Sequence, residues 1–280
     1  MNTFFRKGRL MPILKGHLKG NKYIVKPDTG FSSILGGWEK ESQLVYINSI
    51  KKGDIIFDLG VNYGIHSMLF SRLTGEAGRV YSFEPLPANI EDLNNHIAAN
   101  GIKNIKIEEF AISNKEGSVS FKLSSHGGQG SVIGIGRESG ETLDVKTTTL
   151  DKFCRENKVV PDFIKIDIEG AEGLALEGFK EMVNASYPFF AIDLHNPECD
   201  LGVGKFLQEN GYEAYRIINI TARKEKTYSK PLEKIKYLDQ PYPHPDGIWG
   251  VIWAVHPSRK ALVKKFIADN VALPEKEGLK

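Results

Sequence analysis

Four ionisable side chains in this sequence, Asp58, Glu84, Asp167 and His195, fall where a parallel sheet would gather them at one edge. Asp58 stands in the stretch Asp54 to Phe70, DIIFDLGVNYGIHSMLF. There a short apolar run leads into an acid, then glycines at 60 and 64, then apolar side chains at helical spacing. That pattern describes a buried strand, a tight turn and a helix start. Gly60 can take backbone angles closed to other residues, and Gly64 lets the helix begin close beneath a ligand. The loop reads DxGxxxG, with Asn62 inside it. It lacks the second close glycine of a dinucleotide loop and the lysine of a phosphate loop, so it offers no diphosphate cradle. An acid at the strand's carboxyl end suits a ligand with a positive end. The alternative is an ordinary strand-to-helix turn, and a second acid separates the two readings. Glu84 closes the next strand, RVYSFE, twenty residues after Gly64. At that spacing α/β nucleotide-binding units set a carboxylate against ribose hydroxyls. A ribose reader without a diphosphate seat fits a nucleoside with a cationic tail, which is the shape of S-adenosylmethionine.

A methyl group on a sulfonium is already activated, so an enzyme using it must mainly align donor and acceptor and exclude water. An alcohol acceptor is a weak nucleophile and profits from a general base or an acidifying metal. Asp167 ends the strand DFIKID and should face the crevice; capping the helix start at Gly170-Ala171 is its structural alternative. His195 follows the strand FFAIDL, and an unperturbed histidine titrates near neutrality, which suits a base. The alternative is a partly buried histidine bonded to nearby backbone. A divalent ion held by Asp167 with Asn196 or His195 is possible, but no dense carboxylate cluster marks it, and a metal-free site is the expectation.

The elements that must position these groups alternate strand and helix, which implies a parallel sheet covered on both faces. Strands are expected at Ile55–Phe57, Arg79–Glu84, Ile105–Phe110, Asp162–Asp167, Phe189–Leu194 and Tyr212–Ile217, with a last one at Gly247–Val255. Helices are expected at Glu39–Ile50, Pro87–Asn100 and Ser258–Ile267. Leu44, Tyr46, Ile47 and Ile50 make the buried face of the first. Ser118–Leu123 and Leu143–Thr149 alternate as strands around a Gly- and Ser-rich segment, a surface hairpin with a mobile tip. The segment Tyr237–Asp246, with Pro241, Pro243 and Pro245, reads as a stiff loop able to roof a site.

The chain thus divides into a basic arm and lead-in helix (1–50), one domain (51–268) with an insertion near 117–149, and a charged tail (269–280). Its 280 residues, 41% hydrophobic and 26% charged with a net charge of +2, suit one large soluble α/β domain rather than a disordered or membrane-spanning chain. Arg6, Lys7, Arg9, Lys15, Lys19, Lys22 and Lys26 precede the first acid, Asp28. Scattered apolar residues among them make no export signal or membrane span, and a solvated lead-in packing loosely on the domain is expected. Cys154 and Cys199 lack CxxC spacing, so a reducing cytoplasm is the default.

Several motifs carry a family resemblance: the DLGVNYG loop, FEPLPANIEDLNNHI, Ala111-Ile-Ser113 before Gly117, TTLD at 148–151, and above all IKIDIEGAEGLALEG at 164–178. Together they resemble the FkbM-type family of S-adenosylmethionine-dependent methyltransferases over roughly Lys51 to Leu194. The resemblance implies a class I methyltransferase fold, α/β and Rossmann-like, with a seven-stranded, mostly parallel sheet whose last strand is antiparallel. It also implies methyl transfer to oxygen, on a hydroxyl of a saccharide or secondary metabolite. Carried over by position, Asp58, Gly60, Asn62 and Gly64 match the first cofactor loop, Glu84 the ribose carboxylate and Ala111 the turn beside the adenine. Asp167, Glu169, Gly170 and Glu172 match the motif after the fourth strand. Two departures are the Asp193-Leu-His195-Asn196-Pro197 run, where the family more often shows a glutamate and a less polar continuation, and His66, where an aromatic is usual.

Other classes fit less well. A nicotinamide-dependent oxidoreductase would want GxGxxG and a Tyr-x-x-x-Lys pair. A nucleic-acid methyltransferase would want an aromatic platform after the fourth strand or a basic footprint, so no nucleic-acid partner is expected. A protein that keeps the cofactor pocket without catalysis is a further alternative. The acceptor itself and the oligomeric state are not written in these motifs.

Overall fold

The computed structural model describes residues 10–25, 30–123, 130–132, 142–218 and 230–272. Its main sheet has eight strands: β1 (Ile55–Leu59), β2 (Arg79–Phe83), β3 (Ile105–Glu108), β4 (Phe163–Ile166), β5 (Phe189–Asp193), β6 (Glu213–Ile217), β7 (Leu232–Lys234) and β8 (Val251–Val255). Their order across the sheet is β7-β6-β8-β5-β4-β1-β2-β3. Neighbours from β5 to β3 pair in parallel, and β8 slots antiparallel between β5 and β6, as expected of the last strand. The expectation of seven strands is corrected by β7, a three-residue strand added antiparallel to β6 at the edge. Too short to show alternation, it carries no sequence signal of its own.

The central strands are apolar on both faces because helices cover both. On one face Phe57, Leu59, Phe83, Ile164, Ile166 and Phe190 form a core with Phe153 and Leu176. On the other, Ile56, Val80, Phe163, Phe189 and Trp253 pack with Tyr46, Met68, Phe70 and Phe266. The second face is covered by α1 (Lys40–Ser49) and α2 (Ile65–Thr74), the two joined through the rings of Tyr46 and Phe70, 5.0 Å apart. The buried face of α1 is Ser42, Val45, Tyr46 and Ser49, with Ile50 beyond its end; Leu44 and Ile47, expected inside, are only half-buried. Further along come α3 (Pro87–Asn100), α4 (Leu150–Asn157), α5 (Glu172–Glu177), α6 (Pro197–Glu209) and the closing α7 (Lys260–Asn270).

The lead-in packs more tightly than its scattered apolar residues suggest. Leu10–Pro12 pairs with Lys22–Ile24, Ile13 and Tyr23 are buried, and the Tyr23 ring stacks on His96 at 4.7 Å. Arg6, Lys7, Arg9 and Lys26, and most of the 269–280 tail, lie outside the described residues. The expected hairpin forms, Gly117–Leu123 antiparallel to Thr142–Thr148, within a four-stranded second sheet completed by Ala111–Ile112 and Gly130–Val132. Most of its tip lies outside the described residues. No described helix is long and apolar enough to cross a membrane.

Candidate functional site

A cavity of about 270 Å³ opens over the carboxyl ends of β1, β2, β4 and β5, room for far more than the few waters an interior void holds. Its walls include Gly60, Asn62, Glu84, Ala111, Asp167 and His195, six of the eight residues singled out above for the site. The second sheet supplies a further wall through Val119, Phe121 and Thr147, so the insertion is more than a surface hairpin. Residues 237–246 contribute nothing to the lining; the Pro-rich loop does not roof this cavity.

The two residues that do not reach the cavity are Asp58 and Gly64. Asp58 sits one position inside β1, in register with Lys165 on β4 and Ser82 on β2, so its side chain joins theirs on one sheet face. It is fully buried, accepts from the Ser67 hydroxyl at 2.5 Å and lies 3.7 Å from the Lys165 ammonium. The expected direct contact between Asp58 and a ligand's positive end is therefore corrected: the carboxylate supports the floor. Gly64, with φ 78°, begins α2 against Leu93, where a Cβ would come within 2.7 Å of that side chain. At Gly60 the constraint is harsher, since a Cβ there would stand 1.8 Å from the Asp167 carbonyl.

Glu84 is held at one end of the cavity by the backbone N–H groups of Asn62 and Leu86, each 3.0 Å from one of its oxygens. Burial pushes its pKa up to about 7 against those bonds. Each carboxylate oxygen accepts more than one hydrogen bond, so the Glu84 carboxylate retains capacity for two hydroxyls. Beside it the Asn62 side-chain oxygen is buried without a partner. This fits a nucleoside: an acceptor pair for a diol, an unsatisfied amide and no cradle for phosphate. Backbone strain collects here too. Five described non-glycine residues have positive φ, and three of them, Glu39, Asn62 and Glu169, line the cavity.

At the other end Asp167, Asp193 and His195 converge. Asp167 Oδ2 is 3.1 Å from Lys165 Nζ, which also donates to the Gly60 carbonyl at 2.8 Å. Burial alone would raise the Asp167 pKa, but Lys165 and then His195 outweigh it and hold Asp167 ionised. Asp193 moves the other way, up to about 7, through burial and then the charge of Asp167. His195 Nδ1 pairs with Glu172 Oε1 at 3.1 Å, and its Nε2 lies 3.6 Å from Asp167 Oδ1. Burial works against its charge, yet Glu172 and Asp193 push its pKa up to about 10. These carboxylates favour the imidazolium form, which works against the expected role of His195 as a neutral base. The capping role considered for Asp167 is not filled, since the helix starting at Glu172 has no side-chain cap; Glu172 Oε1 instead accepts from the Ile168 and Gly170 N–H groups of the turn before it. Asn196 caps α6 through the Glu198 N–H.

Asp167, Asp193 and His195 each offer a ligand atom, all within 4.8 Å of one another, and could hold a divalent cation. Lys165 offsets part of the negative charge of these carboxylates, whose attraction favours the imidazolium form of His195.

Four participants escape the sequence reading. Lys165 had a signal, a lone cation inside an otherwise apolar strand. Asp193 enters the sequence reading only as part of the run that departs from the family pattern. Glu39 and Trp38, which line the cavity from the lead-in, belong to no motif.

The mostly parallel sheet, with β8 reversed between β5 and β6, and the cavity over its carboxyl edge make this a class I methyltransferase fold. A family model described as the methyltransferase FkbM domain matches residues 58–213, more than half of the chain. The chain belongs to that family, whose methyl donor is S-adenosylmethionine. No curated protein matches it. Among solved structures, it is similar to an FkbM methyltransferase from Methylobacillus flagellatus, with 17% identity and a TM-score of 0.45. The similarity covers 72% of this chain and 43% of that one, so the chain spans less than half of that relative's length. An S-adenosylmethionine-dependent O-methyltransferase from Thermotoga maritima aligns with 15% identity and a TM-score of 0.42, over 91% of this chain and 69% of its own. Fibrillarin from Aeropyrum pernix, solved with S-adenosylmethionine bound, aligns with 13% identity and a TM-score of 0.42, over 77% and 74%.

Proposed function

We propose that the chain transfers a methyl group to a hydroxyl oxygen, on a saccharide or a secondary metabolite. One observation carries this reading. A single cavity has a diol reader, Glu84, after β2 and a charged cluster, Asp167, Asp193 and His195, after β4 and β5. Glu84 and Asp193 are three strand positions apart, about 14 Å. S-adenosylmethionine, when bound, supplies a methyl group already activated on sulfur. The share of this chain is to align the acceptor, exclude water and take up one proton.

Asp193, with its pKa brought up to about 7, is matched to accept the hydroxyl proton at neutral pH. Asp167, kept ionised by Lys165, accepts a hydrogen bond from a second hydroxyl of the acceptor and so orients it. The His195 imidazolium offsets negative charge beside them. Glu169, also on the cavity wall, is placed for a neighbouring hydroxyl, which favours a polyhydroxylated acceptor. The test supplies isotope-labelled methyl donor with panels of sugars, phenols and amines, and locates the label by the methyl resonance. A label on oxygen supports the reading; a label on nitrogen or carbon overturns it.

A further inference from the structure

The cavity has a carboxylate that neither the motifs nor the family match covers. Glu39 precedes α1, nineteen positions upstream of the matched stretch 58–213, and lines the cavity together with Trp38. Its side chain is 40% exposed, whereas Asp58, the acid that the motif nominates, is fully buried. Its backbone has φ 44° and ψ 54°, a left-handed conformation that a glutamate adopts rarely. The helix behind it is anchored. Tyr46 is buried, with its ring 5.0 Å from Phe70 and 5.7 Å from Phe163. The carboxylate is therefore held at the cavity by a fixed element rather than by a loose arm.

Burial pushes the Glu39 pKa up to about 7, so a cation arriving beside the carboxylate would hold it ionised. Glu39 Oε2 lies 3.4 Å from His66 Nε2, but burial pushes the His66 pKa down to about 4, so that ring is neutral and cannot balance the acid. The Lys165 ammonium is engaged with Asp167 and the Gly60 carbonyl. A nucleoside with its ribose at Glu84, after β2, lays its tail over the Gly60–Asn62 loop after β1. Trp38 and Glu39 border the same cavity as this loop.

We infer that Glu39 receives the ammonium group of the amino-acid tail of the methyl donor, the role that the motif would give to Asp58. The N-terminal lead-in is then part of the donor site and not an appendage. The inference rests on the donor assignment, and its test is built to separate the two.

Calorimetry compares S-adenosylhomocysteine, which carries the amino-acid tail, with methylthioadenosine, which lacks it. Glu39→Gln should weaken S-adenosylhomocysteine by roughly ten- to a hundredfold, the loss of one charge-assisted contact, and leave methylthioadenosine within about twofold. Glu39→Gly should give the same selective loss with an unchanged or higher thermal midpoint, because glycine accepts the left-handed conformation freely. Glu84→Ala should weaken both ligands alike. Equal losses for both ligands in the Glu39 variants, or no loss for either, overturn the inference. Wild-type protein that binds neither ligand overturns the donor assignment and this inference with it.

Discussion

The two ends of the cavity are built on opposite principles. Around Glu84 the carboxylate is held mainly by backbone, through the N–H groups of Asn62 and Leu86, and the second sheet closes one side. Around Asp167 the work falls to side chains: Lys165, His195, Glu172 and Asp193 balance one another within a few ångströms. A backbone-held group resists substitution of its neighbours, while a group held by mutual charge changes when any partner does. Binding should therefore be robust and chemistry sensitive, and mutations should separate the two ends.

The sharpest separation is expected at Asp167. Asp167→Asn should lower kcat by about 10²- to 10³-fold, the span for one preorganised polar group beside the reacting atoms, while the S-adenosylhomocysteine affinity stays within a few-fold. Equal loss of both would move Asp167 into the donor site and erase the contrast. The companion Asp193→Asn should remove an acidic limb near pH 7 from the kcat profile.

The next effect is on stability. Lys165 is buried between Asp58 and Asp167. Lys165→Met strands two carboxylates and should cost about 3 to 5 kcal/mol, a fall of roughly 10 °C in thermal midpoint by differential scanning calorimetry. An unchanged midpoint would mean that the charges at this end do not depend on one another.

The smallest effect is pH-dependent. The folded pKa of His195, about 10, exceeds the ordinary histidine value of 6.5, so the folded state holds the proton more tightly. The stabilisation is complete below about pH 6.5 and is lost as pH rises through 10. In chelator-treated protein, thermal melts between pH 7 and 10 should lose about 1 to 3 kcal/mol, and His195→Gln should flatten that slope. A slope that survives the substitution places the titration elsewhere.

The same contrast explains what could be read from the chain. The strands, the loop after β1 and Glu84 are local patterns, since apolar runs, glycine spacing and a strand-end acid all lie within one βαβ unit. Asp58 was misplaced because its direction depends on cross-strand register with Lys165 and Ser82, which no local pattern encodes. His195 has an ordinary sequence context; its protonation follows from Glu172, twenty-three residues away. Glu39 is more distant still, joined to the cavity only through the packing of a helix with a weakly patterned face.

The contact at Gly60 ties the ends together. With no room for even a methyl group between it and the Asp167 carbonyl, the turns after β1 and β4 meet main chain to main chain. A shift that accommodates a bulkier acceptor would push directly on the donor's seat. Variation in what this protein methylates should therefore accumulate in the outer walls, such as the strands bearing Val119 and Phe121, while the seam between the two turns stays rigid.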